Sequence, residues 1–500
     1  MKKQIIKFIV LFAFSIASIS CSDFLDVNED PNNPTTSTPK LTLPVIQRDL
    51  LALNARSMNY MGNFMVYNWS TPSNWSSNQN LIRYNITTNT FSNIWETSYA
   101  DIFKNITYIE NFKKGTVDYT AYKIISKTLK GFQYQYLVDL YGDIPYTEAN
   151  LRADNLTPAY DKAETIYKDL IAKLTEAATL ATNLPANYEN PGSQDIIFSG
   201  DMQKWAQFAN TIKLRLLIRM SKTGQDSYIT SEIAKIDANG AGYITTNVIG
   251  NPGYSDNENR QNPFFGYQGK APNQNTPNDR NDFTTATDYT INFLGATTND
   301  PRMERLYSEA DNGGYHGAEQ STALPSKGFT SKDLSHVGPG LLIDSKQDQP
   351  LMLYAEALLL QAEAMVRGYI SGGDAAAKAK YEEAITSSFE FLKVPDATTS
   401  SQTYYSQAIP NVSWDNSANK LQAIAIQKWV ALNGVSGVES WIEVTRTGYP
   451  SNLPTPTEAN SGGKRPVRLL YPESEVSRNP LNVPAQTKDA VFTNIPFWNK

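Results

Sequence analysis

The stretch that decides the fold runs from residue 351 to residue 385 and reads LMLYAEALLLQAEAMVRGYISGGDAAAKAKYEEAI. Apolar and small side chains recur along its first half at three- and four-residue steps, which is the spacing of one face of an α-helix. The members of this stripe are Leu351, Tyr354, Ala355, Leu358, Ala362 and Met365. Gly368 then predicts a helix end, and a second helix-like segment covers residues 375–392. We therefore predict a pair of helices in this stretch.

The pair resembles a tetratricopeptide unit with a lengthened turn. Its small residues, such as Ala357 and Ala364, would let the two helices approach closely, and we expect Tyr381 to fill the gap at the turn. The repeat signature of about 34 residues does not recur regularly along the chain. An irregular helical bundle is therefore the alternative that this pattern leaves open.

Helical spacing dominates most of the remaining chain. Residues 201–221 place Trp205, Phe208, Ala209, Ile212 and Leu216 on one stripe. Further helix-like segments cover residues 41–67, 91–113, 119–141, 161–181 and 419–432. Asp161 and Asp201 suit helix N-caps, while Gly142 and Gly224 suit helix ends. Because two-residue alternation is rare, we predict an all-α fold with a scaffold of tetratricopeptide-like helical pairs.

Two segments depart from this pattern, at about residues 240–350 and 450–500. Gly, Pro, Asn, Asp and aromatic residues are interleaved there, as in residues 262–267 (NPFFGY). A structureless loop of such length is implausible inside a compact domain. We therefore expect a large irregular, loop-rich half that is ordered and packs on the helical scaffold.

The composition limits the classes of function. The 500 residues carry 44 basic and 50 acidic side chains, and only 19% of the residues are charged. This mild acidity, without long basic runs, argues against a nucleic-acid partner. One Cys and two His exclude a structural zinc site and a disulfide within the chain, so we expect no metal and no cofactor. The 28 Tyr residues outnumber the 20 Phe residues, and tyrosine is the aromatic best suited to wet surfaces.

The N-terminus has the pattern of a secretory signal. Lys2 and Lys3 precede an apolar run over residues 5–19, and the small residue Ser20 lies directly before Cys21. Positive charge, a short apolar stretch and a small residue are typical of a signal peptide. The run is shorter than the roughly 20 residues that span a bilayer.

The residues around the cysteine resemble a bacterial lipobox. Residues 18–21 read SISC, and they depart from the usual pattern at Ile19, where a smaller residue is more common. We predict a signal peptide over residues 1–20, lipidation of Cys21 and an extended, Pro- and Asn-rich tether over residues 21–40. A cleaved signal with an incidental cysteine is the alternative.

Several segments in the same order resemble the SusD/RagB family of bacterial outer-membrane lipoproteins. They are residues 26–35 (DVNEDPNNPT), 136–146 (YLVDLYGDIPY), 205–215 (WAQFANTIKLR), 354–357 (YAEA), 427–432 (QKWVAL) with 439–441 (ESW) and 446–450 (RTGYP), and 468–473 (RLLYPE) with Asn479 and Asn482. Each motif is weak by itself, but their shared order covers almost the whole chain.

The resemblance implies a non-catalytic binding protein on the cell surface, anchored in the outer membrane by a lipid and facing the exterior. It implies an oligosaccharide ligand and a TonB-dependent, SusC-like transporter as the partner that receives it. The family also includes members that handle peptides, so a peptide ligand remains open. By the same resemblance, residues 41–500 are expected to form one helical domain with the two irregular inserts.

Two tryptophans lie in a polar segment between helices. Residues 67–80 read YNWSTPSNWSSNQN and contain Trp69 and Trp75. Large rings exposed on such a loop are costly unless a ligand covers them, and the apolar C–H face of a sugar is a suitable cover. Side chains nearby in sequence that could bind hydroxyls are Asn68, Asn74, Asn78 and Arg83. Alternatively, both rings tuck into the following helices.

A second candidate segment covers residues 264–289. It supplies Phe265, Tyr267, Asn275, Asp279, Arg280, Asn281 and Asp282. A guanidinium flanked by amides and carboxylates can bind neighbouring hydroxyls in a bidentate manner. The alternative is a loop that is held by its own Asx turns. Tyr315 and His316, in the sequence GGYHG, form a third candidate.

The helical tryptophans and two arginines are interpreted as structural. We expect Trp205, Trp429 and Trp441 to pack in the core. Arg215 and Arg446 are expected to pair with buried carboxylates such as Glu356 or Glu363.

Catalytic signatures are weak. A glycoside hydrolase needs two carboxylates about 5–9 Å apart, and the pairs Asp279/Asp282 and Asp256/Glu258 are the ones available. No nucleophile elbow or phosphate-binding loop occurs. Three alternatives to the oligosaccharide-binding hypothesis therefore stay open: a peptide binder, a glycoside hydrolase, and a purely structural lid on the transporter.

Overall fold

The computed structural model describes residues 37–113, 115–458 and 461–499. The predicted signal peptide, the predicted lipidation site Cys21 and most of the predicted tether lie outside these residues. The described part contains no helix with the length and apolar character needed to cross a membrane.

Helices form most of the regular structure. The longer α-helices are Pro39–Leu53, Thr120–Tyr141, Ala163–Ala181, Met202–Arg219, Asp226–Asn239, Tyr354–Val366, Gly373–Phe391, Lys420–Leu432 and Gly437–Thr447. The shorter ones are Asn59–Met65, Asn93–Thr97, Lys104–Glu110, Asp279–Asp282, Asp288–Asn292, Met303–Leu306, Ala397–Tyr405, Glu473–Arg478 and Ala490–Thr493. Wider π-helical turns occupy Asn54–Met58, Ser98–Phe103, Phe265–Gly269 and Phe293–Thr297. Single 3-10 turns occupy Leu81–Arg83, Arg152–Asp154, Gly192–Gln194, Met220–Lys222, Ser331–Asp333 and Phe497–Asn499.

Neighbouring helices pack in pairs, as the sequence predicts. Helix Ala163–Ala181 packs against both Thr120–Tyr141 and Met202–Arg219, and helix Tyr354–Val366 packs against Gly373–Phe391. The small Ala357, Ala362 and Ala364 are buried in this last pair. The all-α fold class is confirmed, and the paired helices form the scaffold for the rest of the chain.

The deciding stretch differs from the prediction in two details. Its first helix begins at Tyr354, and Leu351 belongs instead to the strand Gln349–Met352. Tyr381 is buried, but it does not fill the gap at the turn: its hydroxyl donates to the carbonyl oxygens of Asn411 and Val412. The ring therefore joins this helical pair to the segment that follows it.

The predicted helix caps are correct in one case and wrong in the other. The carboxylate of Asp201 accepts a hydrogen bond from the Lys204 backbone N–H, as an N-cap should. Asp161 is not an N-cap, because its carboxylate accepts from the backbone N–H groups of Tyr146 and Thr147. The first N–H of the following helix donates to Asp143 instead.

Strands are short and occur as two antiparallel pairs in the described residues. Trp69–Ser70 pairs with Thr285–Ala286, and Val248–Gly250 pairs with Gln349–Met352. The first pair joins the irregular region at about residues 240–350 to the segment after helix Asn59–Met65, and the second pair joins the two ends of that region to each other. These pairs and the short helices inside it show that the irregular region is ordered, as we predicted.

The core is one continuous cluster of buried hydrophobic side chains that reaches from Leu43 to Trp498. Trp205, Trp429 and Trp441 belong to it, as predicted, with exposed fractions of 2% or less.

The two buried arginines have the predicted partners. Arg215 Nε lies 2.9 Å from a carboxylate oxygen of Glu356, and Arg446 contacts Glu363 at 2.7 Å. Both pairs join helices that are distant in the chain.

Candidate functional site

A short antiparallel ladder brings the first two candidate segments together. Trp69 pairs with Ala286 and Ser70 pairs with Thr285, so the loop that follows Ser70 lies beside the segment that precedes Thr285. Further contacts anchor the first loop: the Ser73 N–H donates to the Phe329 carbonyl at 2.7 Å. Side chains that are far apart in the sequence therefore meet on one surface.

Trp75 is the aromatic side chain of the first loop that stays partly exposed. Its indole N–H donates to a carboxylate oxygen of Asp282 at 2.7 Å, across 207 residues of sequence. The ring also meets Phe283 in an edge-to-face contact, with 5.5 Å between centroids. Because the hydrogen bond and the ring contact restrain the indole together, its orientation is defined before any ligand arrives.

Arg280 lies against several aromatic rings next to Trp75. Its guanidinium carbon is 3.9 Å from the centroid of Tyr267, 5.2 Å from that of Tyr60 and 5.6 Å from that of Phe283. These are cation–π contacts, which restrain the guanidinium without using its N–H groups. Among the described residues, none accepts a hydrogen bond from this guanidinium. Its donors are therefore free for a ligand.

Tyr60 supports the site from below. The ring is 3% exposed, and its hydroxyl donates to Asn78 Oδ1 at 3.0 Å and lies 3.2 Å from the Thr284 hydroxyl. Burial raises the pKa of Tyr60 to about 12, so the phenol stays neutral at ordinary pH. Tyr60 meets Tyr267 edge to face at 5.8 Å and thereby fixes the ring on which Arg280 rests.

We call this surface the Trp75 face and define it by Trp75, Tyr267, Arg280, Asn281 and Asp282. It combines an oriented indole, a guanidinium with free donors and side-chain amide and carboxylate groups. Such a set can bind a ligand that presents an apolar C–H face and several hydroxyl groups.

Trp69 does not belong to this surface, which corrects the prediction that it binds ligand through an exposed ring. Its side chain is 0% exposed and packs on Tyr60 and Phe64, with ring centroids 5.7 and 6.3 Å apart. The physical reason is the strand Trp69–Ser70, which holds the ring in the core. Of the two alternatives for the pair of tryptophans, Trp69 takes the buried one.

The predicted asparagines of the first loop are engaged within the protein. Asn74 donates to the Ser331 hydroxyl and accepts from the Ser331 N–H, and Asn78 donates to Thr71 and accepts from Tyr60. Asn68 is buried and donates to Asn63. These amides shape the loop, and none of them has both polar groups free for a ligand.

Three other predicted residues lie apart from the Trp75 face. Arg83 is half-buried on the turn Leu81–Arg83 and donates through Nε to the Gln79 carbonyl. Phe265 is half-buried and packs near Gly269. Tyr315 is half-buried, and burial together with Glu304 raises its pKa. In the described part of the chain, no hydrogen bond, ion pair or ring contact joins any of the three to Trp75 or Arg280.

Sequence reasoning missed two residues that contact and support the Trp75 face, Tyr60 and Phe283. Phe283 lies inside the second candidate segment, directly after Asp282, and its aromatic character was a usable signal. Tyr60 lies in a helix with a buried face, where a ring is normally interpreted as core packing. Its role depends on contacts with residues more than 200 positions away, such as Thr284.

One of the carboxylates considered for hydrolysis already has a partner within the protein. Asp282 holds the Trp75 indole, and Asp279 and Asp282 belong to the same short helix, Asp279–Asp282. Within the described residues, no group of three or more His, Cys, Asp or Glu side chains is placed to hold a metal ion.

Comparison with known proteins identifies relatives over most of the chain. The sequence profile of the SusD-like family, described as "Starch-binding associating with outer membrane", matches residues 31–472. A search of curated protein sequences finds no match.

Solved structures share the fold at low sequence identity. A chitin-binding SusD homolog from Flavobacterium johnsoniae is 22% identical, with 92% of this chain and 98% of that chain covered and a TM-score of 0.74. A SusD homolog from Bacteroides fragilis NCTC 9343 is 23% identical, with 93% and 100% covered and a TM-score of 0.72. A SusD-like protein from Bacteroides thetaiotaomicron VPI-5482 is 22% identical, with 92% and 99% covered and a TM-score of 0.70.

The match to the family profile over most of the chain assigns the chain to this family, and the solved structures support the fold. The family assignment also removes the hydrolase alternative, because the members of this family bind their ligands without cleaving them. The chain belongs to the SusD-like family of binding proteins.

Proposed function

We propose that this protein is a cell-surface lipoprotein that captures an oligosaccharide on the Trp75 face and delivers it to a TonB-dependent transporter in the outer membrane. The main observation in favour of an oligosaccharide ligand is the pre-oriented indole of Trp75, which lies beside the free donors of Arg280. The family description, with its starch binding and outer-membrane association, supports the same class of ligand and location.

The binding step would need little reorganisation of the protein. One pyranose ring stacks on the Trp75 indole, and hydroxyl groups accept hydrogen bonds from Arg280. The carboxylate oxygen of Asp282 that does not hold Trp75 and the amide of Asn281 would bind further hydroxyls. A pre-ordered site of this kind loses little conformational entropy on binding.

We infer the lipid anchor from the N-terminal pattern and the delivery to a transporter from the family resemblance. Cys21 would carry the lipid after removal of residues 1–20, and residues 21–40 would tether a single domain over residues 41–500 to the membrane. Co-purification from the native membrane tests directly whether the protein binds a transporter. A Cys21→Ala variant is the control for anchoring.

Calorimetric titration with chito- and malto-oligosaccharides tests the ligand-binding step. We expect Trp75→Ala and Arg280→Met each to weaken binding at least about tenfold, or about 1.4 kcal/mol. Tyr405→Ala removes a partly exposed aromatic ring away from the face and should leave the affinity unchanged. Unaltered binding in both Trp75→Ala and Arg280→Met, with the fold intact, would exclude the Trp75 face as the site.

A further inference from the structure

A depression lies at the start of the helical scaffold, and none of its lining residues belongs to the Trp75 face. It has a volume of about 830 Å³ and is formed by the beginning of helix Pro39–Leu53, the end of helix Lys104–Glu110 and the turn Arg152–Asp154. We call it the Tyr108 cavity and define it by Asn105, Tyr108, Asn111, Phe112, Asn150 and Arg152. Its volume falls in the range of small-molecule sites.

Polar groups in this cavity lack partners. Among the described residues, the side chains of Asn105, Asn111 and Arg152 make no hydrogen bond or ion pair. Asn150 donates from Nδ2 to the Tyr99 carbonyl at 2.9 Å, but its Oδ1 is buried and has no partner. The side chains of Asn105, Asn111 and Arg152 line the depression, so their hydrogen-bonding groups are available to a ligand there.

Apolar surface accompanies these polar groups. Tyr108 and Phe112 meet edge to face with centroids 5.7 Å apart, and the Tyr108 hydroxyl donates to the Ser37 carbonyl. Leu41 and Leu151 lie on the rim with exposed fractions of 55% and 42%. The cavity therefore offers an apolar wall and a ring of hydrogen-bonding groups at the same place.

The turn that closes the cavity has an unusual backbone. Asn150 and Arg152 have φ angles of +61° and +58°, in the left-handed region. Asparagine tolerates this region, but arginine rarely adopts it, and such strained residues are concentrated at ligand-binding sites. The bond from Asn150 to Tyr99 holds the turn in this conformation.

We propose that the Tyr108 cavity is a second binding site, for a neutral saccharide, that acts independently of the Trp75 face. Three amides, a guanidinium and two aromatic rings suit a ligand that has both hydroxyls and apolar C–H faces. Lys113, Arg152 and Asp154 also line the cavity, so charges of both signs border it, which suits a neutral ligand better than a strongly charged one. Two sites on one molecule would let it hold a long glycan at two points, which raises the overall affinity.

Hydrogen exchange of the full chain with chitohexaose or maltohexaose as the probe tests this proposal. We expect at least one probe to slow exchange in residues 105–113 and 150–154 at least twofold, in both the wild type and Trp75→Ala. The double variant Asn111→Ala/Arg152→Ala should lose this protection while residues 279–284 keep theirs. The matched control, Asn89→Ala/Arg260→Ala, replaces two exposed residues elsewhere and should retain protection in both places.

The outcomes separate the two sites. Absence of protection at residues 105–113 and 150–154 with both saccharides would overturn the second site, and so would protection there by a tryptic peptide digest alone. Loss of that protection in Trp75→Ala would show that the cavity does not bind independently. Protection at the cavity without protection at residues 279–284 would support the second site and count only against the Trp75 face.

Discussion

Arg446 is a fully buried cation held between two carboxylates. It makes paired hydrogen bonds to Glu363, both at 2.7 Å, and to Glu443, at 2.7 and 3.0 Å. Burial by itself would raise the pKa of Glu443, but Arg446 and Lys428 hold it well below its ordinary value. The Glu363 pKa is also lowered, against the effect of burial and mainly by Arg446. The negative charges of Glu363 and Glu443 are therefore maintained in the core mainly by the positive charge of Arg446.

Replacing this arginine should destabilise the fold strongly. Arg446→Met leaves two buried carboxylates without their main partner, so we expect a loss of about 3–5 kcal/mol in the free energy of unfolding at pH 7. Urea unfolding measures this loss. The exposed pair Lys168–Glu164, at 2.8 Å, provides the control, and Lys168→Met should cost less than about 1 kcal/mol. Equal effects of the two substitutions would contradict the account.

The same variant should show a distinct pH dependence. A carboxyl group with a lowered pKa stabilises the fold above its unfolded value of about 4.3, and this contribution is lost as the pH falls through the folded value. Arg446→Met removes the main cause of the lowered pKa values of Glu363 and Glu443. In the variant, both carboxylates can therefore take up protons at higher pH. The difference from the wild type should therefore be larger at pH 7 than near pH 5. An equal difference at both pH values would show that charge is not the cause.

Residues differ in how far sequence reasoning could place them. The partners of Arg215 and Arg446 could be predicted, because a cation on a buried helix face requires a carboxylate. Trp69 and Trp75 could not be separated, because both lie in the same Ser- and Asn-rich segment. The ladder from Trp69 to Ala286 decides between them, and no local pattern shows that pairing.

Two helices from opposite ends of the chain touch backbone to backbone. Helix Asn59–Met65 packs against helix Gly437–Thr447, and a Cβ atom at Gly62 would lie 2.0 Å from the Gly437 carbonyl carbon. Asn59 joins the two helices at this contact, because its Oδ1 accepts a hydrogen bond from the Gly437 N–H at 3.0 Å. The glycine is required here because any side chain would separate the helices.

Gly62→Ala should therefore destabilise the protein by about 1–3 kcal/mol or more, since backbone atoms cannot move aside as a side chain can. Thermal or urea unfolding measures the effect. Gly131→Ala is the matched control within a helix: its Cβ would meet only the Leu174 side chain, at 2.9 Å. The Leu174 side chain can move to relieve that contact, and alanine has a helix propensity about 1 kcal/mol better than glycine. The free energy of unfolding of the control should therefore change little. A harmless Gly62→Ala would mean that the two helices can separate freely.

Most elements with a strong local period were predicted, with one exception, and those that depend on distant contacts were not. Helices such as Thr120–Tyr141 and Met202–Arg219 follow the apolar spacing closely. Helix Asp226–Asn239 was missed although Ile229, Ile233 and Ile236 carry a helical stripe. Strand Gln349–Met352 could not be separated from the following helix, because its pairing with Val248–Gly250 is set by tertiary contacts.

At the scale of the whole molecule, both ends of the described chain share one core. The indole N–H of Trp498 donates to Asp139 at 2.8 Å, and Asp139 also pairs with Arg219. Helix Thr120–Tyr141 is thereby joined to the last described turn, Phe497–Asn499. The described residues therefore share one core, without a boundary at which one part of them could unfold alone.

We accordingly expect one cooperative unfolding transition for residues 41–500. Far-ultraviolet circular dichroism reports the helical scaffold, and tryptophan fluorescence reports rings both in the scaffold, such as Trp205, and in the second irregular segment, where Trp498 lies. The two signals should give coincident urea curves. Two resolved transitions would show that the irregular inserts form a separate unit.

The central claim, that the Trp75 face binds an oligosaccharide, is tested most directly by a crystal structure of the complex with a chito- or malto-oligosaccharide. The account predicts a pyranose ring stacked on the Trp75 indole, with a hydroxyl oxygen about 3 Å from an Arg280 nitrogen. Asp282 should still accept the indole N–H, as it does in the free protein. A bound saccharide elsewhere on the molecule, with the Trp75 face empty, would contradict the account.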